Sequence, residues 1–171
     1  MIIKFVYYLE GLFMSKNFIG LEKKSLENVV KELNVYLANL NTLYTKIHNL
    51  HWNVEGPAFF QLHAKFEEFY NGISEDLDAV AERILILGFR PAASLKEYLG
   101  LTTVKELDSK GISGDESINI LQEDFTSMVE HSRKILTLAE DAKDQGTIDL
   151  VAGFISNYEK ALWMISAYKA K

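Results

Sequence analysis

The chain has 171 residues, 48 % of them hydrophobic, enough for one domain with a proper core and unlike a disordered chain. It has no cysteine, which excludes disulfides, thiolate metal sites and thiol catalysis and agrees with a cytoplasmic protein. A net charge of −6 disfavours a general nucleic-acid surface, and no run of about 18 apolar residues is present to span a membrane.

Residues 1–13, MIIKFVYYLEGLF, do not read as part of the domain. They are apolar, yet they lack the small-residue cleavage site of a signal peptide. Met14 makes a natural start, and Glu10-Gly11 requires a purine-rich codon run of the kind that precedes a start codon. The segment is expected to be a non-native or disordered extension, with a single domain over 14–171. In the tail that follows, Glu22 offsets Lys16, Lys23 and Lys24. A first helix is expected from Ser25 as N-cap, with Glu27 in the dipole-favoured first turn. Its apolar seam is Leu33, Leu37, Leu40, Tyr44 and Ile47, and the next seam position is His51. A histidine at a core position is ordinarily buried and hydrogen-bonded, but His51 lies one connection away from His63. His48 is expected to be peripheral.

Gly56 ends this segment and Pro57 opens the next. A second helix is expected from Pro57 to Leu87, because Phe59, Leu62, Phe66, Phe69, Ile73, Leu77, Val80, Ile84 and Leu87 recur at steps of three and four. Gly88 is its C-cap and Pro91 stops any continuation. Beside the stripe ride His63, Glu67, Asp78 and Glu82, at roughly 0°, 40°, 60° and 100° around the helix. Charges in such a place are ordinarily a solvated face. The spacing argues for more. His63 and Glu67 are one turn apart, as are Asp78 and Glu82, and about 16 Å of helix separates the pairs. Metal–ligand bonds of about 2 Å cannot bridge that gap within one helix. A second, antiparallel copy related by a two-fold axis brings His63 opposite Glu82 and Glu67 opposite Asp78, with the crossing between Gly72 and Ile73. Gly72 there lets two backbones approach closely, although it costs a helix interior about 1 kcal/mol. Two identical metal sites across a homodimer interface are therefore expected.

From Ala92 to Gly114 the pattern weakens, with a short helix expected over Ser94–Leu99 inside a long connection. A third helix starts with a capping box, Ser113 to Glu116, carries Ile118, Leu121, Phe125, Met128, Ile135 and Leu138, and ends near Asp144–Gly146. Thr147 is the expected cap of a fourth, through Leu150, Phe154, Tyr158 and Trp163 towards Tyr168. Lys169 and Lys171 complement its negative end. No internal repeat, Gly-rich phosphate loop or nucleophile elbow occurs.

The runs HWNVEGPAFFQLHAKFEEFY and DAVAERILILGFRP resemble the Dps family, the mini-ferritins of bacteria, and the likeness extends from about Met14 to the C-terminus. The resemblance implies an all-α, ferritin-like four-helix bundle with a short extra helix in the crossover between the second and third helices. It implies a ferroxidase centre between two-fold related subunits, with His51, His63 and Glu67 from one chain and Asp78 and Glu82 from the other. The Glu67 position is often Asp in the family, so the carboxylate reaches further here. Conventional ferritins use a Glu-x-x-His pair within one bundle, and this chain has none.

Two imidazoles and three carboxylates suit a first-row metal better than calcium or magnesium, and leave iron, manganese and zinc open. The resemblance selects iron, with hydrogen peroxide as preferred oxidant and oxygen as a slower one, inside a hollow dodecamer that stores ferric mineral. It places Trp52, otherwise a residue to fill an interface, where it receives an oxidising equivalent. It also places Glu140, Asp144 and Asp149 at three-fold pores that admit Fe(II), where the residues alone suggest only a solvated helix junction. Two other readings compete. Some relatives compact DNA with lysine-rich tails, but this tail is weakly basic and twelve chains would repel phosphate. The ligand set would otherwise be a charge network with no metal function.

Overall fold

The computed structural model describes residues 15–170, so the expected extension over 1–13 lies outside it. Helix α1 spans Lys23–Asn53, α2 Phe59–Ile86, α3 Leu95–Leu101, α4 Gly114–Asp141 and α5 Gln145–Lys169. The four long helices pack as a ferritin-like bundle, and α3 is the short extra helix in the crossover. The apolar stripes account for this. On α2, Leu62, Phe66, Ile73, Val80 and Ile84 are buried, and on α1 Leu33, Leu37, Leu40 and Ile47. Each such side chain, fully withdrawn from water, contributes about 1.5–3 kcal/mol before entropy is counted. Short connections fold α2 back on α1 and α5 back on α4, while residues 87–113 carry the chain across the bundle. No described helix is long and apolar enough to cross a membrane.

Gly88 closes α2 as expected. Its φ is +88°, its N–H donates to the Leu85 carbonyl at 2.9 Å, and the Phe89 N–H donates to that of Ile84 at 3.1 Å. Ser113 caps α4, its Oγ accepting the Glu116 N–H at 3.2 Å. Other boundaries differ from expectation. Helix α1 starts at Lys23, not Ser25, whose hydroxyl instead donates to the Glu22 carbonyl at 2.7 Å inside the first turn. Helix α2 starts at Phe59, two residues after Pro57. Helix α4 ends at Asp141, and Asp144 rather than Thr147 caps α5, accepting the Thr147 N–H at 3.1 Å. Trp163 lies off the α5 seam, which follows Phe154, Tyr158, Ala161 and Ile165, and is 67 % exposed.

Three asparagines of α1 hold the crossover. The Asn34 carbonyl oxygen accepts the Ala92 N–H at 2.7 Å, that of Asn39 accepts the Thr103 N–H at 2.7 Å, and the Asn49 amide donates to the Leu107 carbonyl at 2.8 Å. Two short strands, β1 Val54–Glu55 and β2 Ile112–Ser113, then pair in parallel, with Val54 opposite Ile112. This clasp fixes the α1–α2 turn against the start of α4, and so holds His51 and His63 at one end of the bundle.

Candidate metal centre

His51 occupies the last turn of α1 and His63 the second turn of α2. The turn between them lets each helix end satisfy the other's histidine. His51 Nδ1 lies 2.7 Å from the His63 carbonyl oxygen, and His63 Nδ1 lies 2.8 Å from that of His51. A carbonyl only accepts, so each Nδ1 carries a proton, and the neutral form of each ring keeps its lone pair on Nε2. This is the tautomer a metal-binding imidazole needs, held by the outer hydrogen bond that usually orients such ligands. The rings stack with centroids 3.7 Å apart and planes 18° from parallel. His51 is 7 % exposed, as its seam position implies, and His63 is half-buried.

Glu67 lies exposed one turn beyond His63, and Asp78 and Glu82 are exposed further along α2. Among the described residues, no three His, Asp or Glu side chains of one chain lie close enough to share a metal ion. One chain therefore brings the two histidines together and presents the distal carboxylate pair outward.

An aromatic wall flanks the histidines. Tyr70 stands edge-on to His51, centroids 5.4 Å apart at 89°, and stacks on His48 at 3.8 Å. Desolvation, and then the charge of Glu67, push the Tyr70 phenol above its ordinary range. His48 is less peripheral than expected. It is half-buried between Tyr44 and Tyr70, 5.2 Å from the Trp52 ring, and its Nδ1 donates to the Tyr44 carbonyl at 2.9 Å. Trp52 itself is 69 % exposed on the single chain. The sequence reading passed over Tyr70, although its place three residues after Glu67 puts it on the same flank. It also passed over Asp76, whose carboxyl burial, and then the charge of Glu75, push up to about 6.

The acidic group at the α4–α5 junction divides in two. Glu140 and Asp149 are exposed. Asp144 instead turns inward and is 1 % exposed. It forms an ion pair with Arg83 of α2, and Arg83 Nε also donates to Thr147 Oγ1 at 3.0 Å. Gly146 leaves room for this guanidinium, because a Cβ there would stand 2.6 Å from Arg83 Nη1.

The ferritin-like domain family matches residues 30–171. Among characterised sequences, DNA protection during starvation protein 2 of Bacillus anthracis is 37 % identical over 83 % of this chain and 97 % of its own length. The crystal structure of a Dps protein from Vibrio cholerae O1, described as a member of a broad superfamily of ferritin-like diiron-carboxylate proteins, superposes with a TM-score of 0.87. It is 37 % identical and covers 91 % of this chain and 98 % of that one. The chain belongs to the Dps family. Dps from Staphylococcus aureus is 41 % identical, with a TM-score of 0.81 over 85 % of this chain and 97 % of that one. The matched span takes in all four long helices of this Dps-family chain, apart from the first turns of α1, and every candidate ligand.

Proposed function

We propose that the protein is a ferroxidase that oxidises Fe(II), preferring hydrogen peroxide to oxygen, and stores the ferric product as mineral inside a hollow dodecamer. This work protects the cytoplasm from oxidative damage. The observation that carries the reading is the histidine pair, two imidazoles each held through Nδ1 by the other's carbonyl, with His63 one turn before Glu67 on α2. Asp78 and Glu82 of a two-fold partner complete the site. Fe(II) is the substrate, and zinc or manganese can occupy the same donors. The imidazoles orient the ion and the carboxylates favour the ferric state by charge. Each Fe(II) gives up one electron, and peroxide takes up two electrons with two protons to give water. Trp52 beside His51 receives an oxidising equivalent that escapes the site. Exposed Glu140 and Asp149, repeated around a three-fold axis, draw in Fe(II), with Asp144 anchoring the α5 end that carries Asp149.

DNA compaction is the second reading, favoured by the names of relatives such as the Bacillus anthracis protein. Against it stand the net charge of −6 and a tail already folded onto the bundle. Asn17 donates to the Leu87 carbonyl at 3.0 Å, and Lys16 pairs in an antiparallel bridge with Glu22. The deciding experiment is anaerobic Fe(II) titration followed by peroxide or air, with mineral growth followed optically and a gel shift run at physiological salt. Saturable Fe(II) binding and faster mineral growth with peroxide support the first reading. Tight DNA binding without Fe(II) oxidation supports the second.

A further inference from the structure

The side-chain amide of Asn39, buried in α1, has one allowed orientation. Its Oδ1 accepts the Thr103 backbone N–H at 2.7 Å and the Thr102 hydroxyl at 3.0 Å. A backbone N–H is always a donor, so Nδ2 is the donor end of the amide: it donates to Thr103 Oγ1 at 3.0 Å and lies 3.3 Å from His131 Nδ1. An amide NH2 only donates, so Nδ1 must offer a lone pair. At the opposite edge of the ring, Nε2 lies 3.1 Å from the Glu32 carboxylate, which accepts. His131 is therefore neutral, with its proton on Nε2 and both nitrogens engaged.

The charged surroundings are few. From α1, Glu32 and the edge of Tyr36, centroids 5.3 Å apart, face the ring. From its own helix, Lys134 holds Glu32 at 2.8 Å, and Glu130 lines the same groove. Leu101 and Thr103, which close the groove from the crossover, carry no charge. Burial holds His131 below the ordinary histidine range, opposed by the Glu32 carboxylate and reinforced by Lys134.

The same amide holds the end of α3. Thr102 is the C-cap residue of that helix, and Asn39 binds Thr102 and Thr103 together. Two leucines of α3, Leu95 and Leu99, stand exposed on the single chain at 78 % and 61 %. We propose that the His131–Asn39 pair is a proton-sensitive latch that fixes α3 to the bundle. A proton arriving at Nδ1 sets an N–H against the Asn39 NH2. The amide then rotates, and Thr102 and Thr103 lose their shared acceptor. The latched state binds fewer protons at His131 than the released state. Release therefore begins as the pH falls through about 6.5, the value for an unhindered histidine.

Hydrogen exchange on the assembled full-length protein, corrected for intrinsic rates, tests this between about pH 7.5 and about pH 5.5. Protection over residues 95–104 should fall at least about tenfold on acidification, while the middle of α4 keeps its protection. His131→Asn offers Asn39 an acceptor oxygen and cannot titrate, so it should hold protection at both pH values. Asn39→Asp offers the protonated ring an acceptor, so its protection should hold or rise in acid. A wild type that shows no fall overturns the latch, as does a fall of wild-type size in either variant. Should His131→Asn fail to fold, Asn39→Asp alone decides.

Discussion

His51 and His63 are oriented by each other's backbone carbonyls, so no third side chain is needed to fix their tautomers. That economy ties the two histidines to the turn that separates them, and removing one side chain also strips a hydrogen bond from the other's carbonyl. His63→Ala and Glu82→Ala are each expected to slow initial Fe(II) oxidation by about 100-fold or more. Helicity by circular dichroism should be unchanged, because neither side chain belongs to the apolar core. Wild-type rates in both variants would remove these residues from the site. Asp144 belongs to a different class of residue. It is buried, caps α5 and neutralises Arg83. Asp144→Ala should cost about 3–5 kcal/mol, since it leaves a largely buried guanidinium without its partner. Asp144→Asn, which keeps the cap acceptor, should cost less. Denaturant unfolding at matched protein concentration measures both. A neutral Asp144→Ala that only slowed iron uptake would favour the proposed pore role for Asp144 instead.

At the scale of elements, the four long helices were legible in the sequence because each carries an apolar stripe of period 3.6 through many turns. Where each helix stops was less legible. Asp144 and Thr147 are both good N-caps by type, and the choice is made by the end of α4. There Lys143 adopts φ 56°, its N–H donates to the Glu140 carbonyl at 3.0 Å, and the Asp144 N–H donates to that of Ala139 at 2.9 Å. This is the turn that glycine usually makes, built here on a lysine, so composition gave no sign of it. Lys143→Gly should stabilise the protein by about 0.5–1 kcal/mol, the left-handed cost relieved less the entropy added to the unfolded chain. An unchanged or lower unfolding midpoint would show that this backbone is not strained. The β1–β2 clasp left no signal because two residues cannot show an alternating pattern, and its partners are far apart in sequence. The asparagines that hold the crossover were equally silent, since an asparagine's partner is set by tertiary contact rather than by local spacing. His63 and Glu67 could be read together because one helix carries both. His51 joined them only through the family resemblance and the short connection, and Tyr70 emerged only from the packing.

At the scale of the whole molecule, the single chain leaves much unpartnered. Trp52, Leu95, Leu99 and Trp163 are largely exposed on it. A cage of twelve subunits is expected in solution scattering, and a stable monomer or a 24-subunit shell would contradict it. Each metal site is proposed to be shared between two chains, and mixed cages test that sharing most directly. A subunit with Asp78→Ala and Glu82→Ala lacks one half-site, and a subunit with His51→Ala and His63→Ala lacks the other. Each variant alone should be nearly inactive. In a heterodimer of the two, both losses fall in one site and the other site is fully wild type. Ferroxidation should therefore return in proportion to the heterodimers formed, counted by native mass spectrometry. Mixed cages with verified heterodimers that remain as slow as their parents would show that the site is not shared between chains.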